Sequence, residues 1–117
     1  MALLTPNTQY IFARDLVATR RWYTALIGFE PIEEPHGLRY EFEASALSLS
    51  PSGDKGQFGL MISSIREARQ RFSQAGIQSV EVTGLMRNSE TDDFTSFRDP
   101  AGNLIMVVDK SAAEKKS

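Results

Sequence analysis

The sequence predicts an α+β protein of two βαβββ modules in tandem, their strands forming a curved mixed sheet around a cavity. Three observations carry this. An order of strand, capped helix, glycine and strand occurs twice, at an offset of 49 residues. Each helical stretch begins with a side chain suited to cap it. The stretch SFRDPAGNLIMVVD, residues 96–109, reads as two strands folded over a tight turn.

The repeat sets YIFARDLVATRRWYTALIGFEP (10–31) above GLMISSIREARQRFSQAGIQSV (59–80). Ile11 falls on Leu60, Asp15 on Ser64, Leu16 on Ile65 and Tyr23 on Phe72; after a one-residue slip Gly28 meets Gly76. A first strand is expected over about 8–14, with Asp15 capping the helix that follows. Leu16, Thr19, Tyr23, Leu26 and Ile27 share one face of that helix, and Gly28 suits a left-handed stop. A second strand over about 57–63 leads to Ser64-Ile-Arg-Glu67, which has capping-box spacing. Ile65, Ala68, Phe72 and Ala75 form its buried face and Gly76 closes it. Three short strands should follow each helix, at 30–34, 38–43 and 46–50, then at 78–83, 91–98 and 103–108.

The last pair has a specific register. Asp99-Pro100-Ala101-Gly102 fits a type I turn with a glycine bulge, pairing Phe97 with Ile105 and Ser96 with Met106. Alternation then puts Phe97, Ile105 and Val107 against a helix, and Phe94, Ser96, Leu104, Met106 and Val108 on the concave face. The modules should span 1–53 and 54–110, joined by Pro51–Gly56, with 111–117 as a flexible tail. Neither half alone could bury both faces of its sheet, so the two form one structural domain.

Composition narrows the function. With 117 residues, 41% hydrophobic and 24% charged, the chain is an ordinary globular domain. A net charge of −2 and scattered Lys and Arg give no field for nucleic acid. No apolar run approaches the roughly 20 residues that span a bilayer. There is no cysteine, hence no disulfide or thiolate chemistry, and a cytoplasmic location is expected.

Three stretches together are specific: ArgAspLeu (14–16) with TrpTyr…LeuIleGlyPhe (22–29), SerIleArgGluAla…PheSerGlnAlaGlyIle (64–77), and PheArgAspProAlaGlyAsnLeuIle (97–105). In this order and spacing the chain resembles the vicinal oxygen chelate superfamily: glyoxalase I, extradiol dioxygenases, methylmalonyl-CoA epimerase, and the fosfomycin and bleomycin resistance proteins. The resemblance implies the glyoxalase/bleomycin resistance fold from Thr8 to Val108. It also implies His or Glu ligands to a divalent ion at four concave positions, which here are Thr8, Ser48, Gln57 and Met106. Hydroxyl, amide and thioether groups are poor ligands for Mn, Fe, Ni or Zn, which take imidazole and carboxylate. The sole histidine, His36, lies in a Pro-His-Gly turn. No metal and no other cofactor are therefore expected.

The leading expectation is a small-molecule binding protein, holding an apolar or aromatic ligand in a cavity shared by a homodimer. Its lining is expected from Thr8, Tyr10, Phe12, Ser48, Gln57, Met61, Phe94, Ser96 and Met106. A closed core filled by the same side chains is the bland alternative. The other alternative is an enzyme of the superfamily, a lyase, isomerase or dioxygenase, with no assignable catalytic residue. Its metal-independent form would use Glu41 or Glu43 beside Arg39, if that charged side of the strand faces the cavity rather than solvent. Its metal-dependent form would need ligands from a partner or from Glu90–Asp93. Arg14 and Arg98 stand near strand ends, where they could meet an anionic group.

Overall fold

A computed structural model describes residues 8–82 and 93–110. The tail 111–117, and the segment 83–92 with its acidic residues, lie outside the described residues. The first half runs β1 (Thr8–Phe12), α1 (Leu16–Ile27), β2 (Ile32–Glu34), β3 (Gly37–Glu41) and β4 (Ala46–Ser50). The second runs β5 (Gln57–Ile62), α2 (Ile65–Gln74), β6 (Val80–Glu81), β7 (Phe94–Arg98) and β8 (Leu104–Asp109). Each half forms its own four-stranded mixed sheet, in the matching orders β1-β4-β3-β2 and β5-β8-β7-β6. Within each, the first and last strands run parallel and the other pairs antiparallel.

The helix ends follow from the residues that stand there. Asp15 accepts from the backbone N–H of Val17 and of Ala18, both at 3.1 Å, supplying acceptors for orphan donors of the first turn. Gly28, at φ 102°, closes α1 in the left-handed region. Ser64 caps α2 through the Glu67 N–H, and the buried Asp109 carboxylate accepts from the Ile65 N–H at 2.8 Å. The last strand thus holds the start of α2.

The helices pack on each other, and the core lies between them and the buried faces of the two sheets. Trp22 of α1 meets Phe72 of α2 at 5.4 Å between ring centroids and Phe97 of β7 at 6.3 Å. The stripe expected on α1 therefore omits two buried residues, Trp22 and Ala25. A helix that packs on both a sheet and a second helix buries a wider arc than one amphipathic face. Leu16 is only half-buried at its edge. Ala75 departs from expectation in the other direction. The helix ends at Gln74, so Ala75 is the C-cap and is exposed rather than on the buried face.

The hairpin of β7 and β8 has the expected register, with Phe97 opposite Ile105 and Ser96 opposite Met106. Its turn holds the halves together. The Asp99 carboxylate accepts from the Ala101 and Asn103 N–H groups, at 3.0 and 2.8 Å, and from the Asn103 amide at 3.0 Å. It also accepts from the Tyr23 hydroxyl of α1 at 2.6 Å. The Asn103 amide donates to the Phe12 carbonyl at 2.9 Å and accepts from the Gly56 N–H at 3.0 Å. All three side chains are buried. Burial and the neighbouring Asp99 carboxylate push ionisation of Tyr23 well above its usual range.

Substituting Asn103→Ala strips partners from Phe12, Gly56 and Asp99 at once. The expected loss is about 2–4 kcal/mol, read by urea unfolding. Tyr40, buried under α1, bonds Thr24 at 2.7 Å, and burial raises its ionisation from 10.0 to about 12. Its folded pKa lies above the unfolded one, so its contribution is full below about 10 and is lost as pH rises toward about 12. Chemical denaturation across that window should show a smaller decline for Tyr40→Phe than for the parent protein.

Candidate functional site

Alternation along the strands divides each sheet into a helix face and an outer, concave face. Ile11, Leu38, Tyr40, Leu47 and Leu49 are buried in the first half, and Leu60, Ile62, Phe97, Ile105 and Val107 in the second. On the other face of the first sheet, Tyr10, Ser48 and Arg39 stand in one row, with Thr8 beside Ala46 and Phe12 beside Ser50. The second sheet carries the rows Gln57-Leu104-Arg98, Gly59-Met106-Ser96 and Met61-Val108-Phe94. The edges of β1 and β5 approach each other. The Gln9 amide donates to the Gly59 carbonyl at 2.7 Å, and Ile11 bridges to Asp54.

The four positions at which the resemblance implies metal ligands fall into two symmetric pairs. Thr8 and Gln57 lie 49 residues apart, as do Tyr10 and Gly59; Ser48 stands across from Tyr10 as Met106 stands across from Gly59. Two hydroxyls, an amide and a thioether do not fit the divalent ion of the chelating enzymes. Among the described residues no three His, Cys, Asp or Glu side chains gather into a potential metal site. His36 is exposed in the turn between β2 and β3.

A cleft of about 1110 Å³ opens where the two halves meet, between the outer face of the second sheet and one end of the first half. From the second half come Gly59, Met61, Phe94, Met106 and Val108, with Glu67, Arg71 and Lys110. The first half supplies Gln9, Phe29, Leu47 and the stretch from Glu41 to Ser45. Of the nine expected lining residues, Met61, Phe94 and Met106 meet here. Thr8, Tyr10, Phe12, Ser48, Gln57 and Ser96 do not line this cleft.

Phe29, Phe42 and Arg71 were not among the expected lining. Phe29 is 43% exposed and meets Phe42 edge-on at 5.7 Å, forming an aromatic wall. An aromatic directly after a helix-stopping glycine was the available signal. Arg71 gives no such signal, because its role depends on the other helix. Its guanidinium donates to the carbonyls of Ala25 and Leu26, at 2.6 and 3.2 Å, covering the negative end of α1. Arg21 does the same in reverse, donating to the Ala75 carbonyl at the end of α2.

Arg39 and Glu41 lie on the face away from Tyr40, joined by an ion pair at 2.9 Å. Glu41 and Glu43 line the cleft, and both are exposed to solvent. At the opposite end, the Arg14 guanidinium and Lys55 ammonium lie over the Phe12 ring, at 5.9 and 4.8 Å from its centroid. Arg98 donates to the Gly102 carbonyl at 3.0 Å.

Two βαβββ units with matching strand order define a class of fold. Residues 5–107 match the model of the Glyoxalase/Bleomycin resistance protein/Dioxygenase superfamily, and the chain belongs to that superfamily. Solved structures share the fold. A glyoxalase/bleomycin resistance protein from Catenulispora acidiphila is 19% identical, with TM-score 0.64, over 87% of this chain and 95% of that one. One from Albidiferax ferrireducens is 18% identical, with TM-score 0.63, over 89% and 97%. Lactoylglutathione lyase from Agrobacterium tumefaciens is 18% identical, with TM-score 0.59, over 91% and 93%. No curated protein matches the chain in sequence.

A side chain at Gly28 should be costly. A Cβ there would stand 3.2 Å from the Arg71 guanidinium, at a φ of 102°. Gly28→Ala is expected to cost about 1–2 kcal/mol in urea unfolding, the usual penalty for a side chain in that backbone region.

Proposed function

We propose that the protein is a metal-independent small-molecule binding protein that holds an apolar or aromatic ligand in the cleft at Met61, Phe94 and Met106. The observation that carries the reading is Met106. A thioether occupies a position where the superfamily resemblance implies a carboxylate ligand, and it lines the cleft between the two halves. Methionine and phenylalanine side chains adapt to an apolar guest, and burying them against it is worth about 25 cal/mol per Å². In this reading Thr8, Tyr10, Phe12, Ser48 and Gln57 extend the binding face beyond the cleft, whereas Ser96, only 1% exposed, is out of a ligand's reach. The absence of cysteine supports a cytoplasmic setting.

A second copy of the chain completes the cavity in this reading. Tyr10, Ile32 and Val80, each more than half exposed, lie on sheet surfaces that no element of the described chain covers. Edge strands and uncovered apolar faces are commonly covered by symmetric association. A metal-independent lyase or isomerase is the second reading, favoured by Glu41 and Glu43 at the cleft.

Light scattering coupled to gel filtration should give twice the 13.0 kDa chain mass. A monomer at micromolar concentration would oppose the shared cavity. Met106→Glu should weaken binding of the neutral fluorophore N-phenyl-1-naphthylamine at least ten-fold, about 1.4 kcal/mol, with the fold intact. It should not confer metal binding alone. Adding Thr8→His and Gln57→His should create a three-ligand site for Zn or Ni in calorimetric titration. No uptake by the folded triple variant would mean that these positions do not converge.

A further inference from the structure

Gly59 is the one described glycine for which the protomer offers no reason. Gly28, Gly56, Gly76 and Gly102 take positive φ values, which side chains avoid. Gly37 and Gly53 are packed against backbone, where a Cβ would stand 2.3 Å from the Leu49 carbonyl oxygen or the Ile11 carbonyl carbon. Gly59 is neither strained nor crowded. It lies inside β5, outside the positive-φ set, and a Cβ there would meet no atom of the described residues within 4 Å. Glycine within a strand weakens it and commonly marks a place where another molecule approaches the backbone.

The surroundings say what kind of molecule. Gly59 lines the cleft and pairs in register with Met106, whose side chain also lines it. Met61, on the same face of β5, is 51% exposed. At the pseudo-equivalent place in β1 stands Tyr10, 58% exposed, whose ring stays clear of the open space over Gly59. Meanwhile the Gly59 carbonyl is engaged by Gln9, which fixes the peptide. The result is a flat, bare stretch of backbone beside two thioethers.

We infer that Gly59 is the seat of the ligand, and that the ligand is a planar aromatic ring laid against the β5 backbone, its edge toward Met61 and Met106. This rests on the binding function proposed above and specifies its guest. A ring at van der Waals distance needs a surface with no Cβ, and thioethers make favourable contacts with ring edges. A branched or globular aliphatic guest has no use for a bare peptide.

The test uses the full-length protein, with N-phenyl-1-naphthylamine followed by fluorescence, thermal unfolding and light scattering. Gly59→Ala and Gly59→Val fit the protomer, so both should melt at or above the parent temperature and keep its oligomeric state. The parent should bind one probe per chain; Gly59→Ala should weaken this at least ten-fold and Gly59→Val abolish it. Undiminished binding by both variants would overturn the inference. So would a change of oligomeric state, which would make the partner subunit the occupant, or a fall of several degrees in melting temperature. If Met106→Glu weakens the probe while the Gly59 variants do not, the cleft reading stands and the seat is wrong. If the parent binds no probe, the cleft reading itself is lost.

Discussion

The buried Asp99 carboxylate is the constraint on which the rest of the structure depends. It is too short of solvent to stand alone, so each oxygen must be satisfied by protein. One oxygen takes the backbone of its own turn, which sets the hairpin register of β7 and β8. The other takes Tyr23 of α1 and the Asn103 amide, which reaches on to the Phe12 carbonyl. A turn in the second half is thereby fastened to the helix and first strand of the first. With that fixed, the edges of β1 and β5 lie close enough for Gln9 to reach Gly59, and the cleft has two walls.

The internal symmetry is kept where the chain packs and broken where it could bind. Arg71 covers the carboxyl end of α1 and Arg21 that of α2, and at α1 Gly28 leaves room for the guanidinium. Each cation satisfies carbonyls that a helix leaves unpaired, so both copies need one. On the concave face the equivalents diverge: Tyr10 against Gly59, Phe12 against Met61, Ser48 against Met106. Packing constrains both copies alike. A ligand that is not itself symmetric does not.

Much of the fold was legible because its signals are local. Asp15 and Ser64 cap their own helices, and Asp99 through Gly102 build their own turn, so each can be read without knowing the neighbours. The buried set of α1 was less legible. Trp22 is buried by α2 and Phe97, which are distant in sequence. The site was read in part. Alternation places Met61, Phe94 and Met106 on the concave face. Which end of that face opens depends on how the two halves meet, and no single strand encodes that. Arg71 and Phe29 enter the cleft wall only through that meeting.

In the proposed reading, the chelating site that the superfamily resemblance implies no longer holds a metal in this chain. The donors at its positions are Thr8, Ser48, Gln57 and Met106, none of which holds a transition metal well at neutral pH. Elemental analysis of protein purified without a histidine tag tests this directly. Ni, Zn, Mn and Fe are each expected at well below one-tenth per chain after brief dialysis. Close to one equivalent of any of them, retained through dialysis, would contradict it.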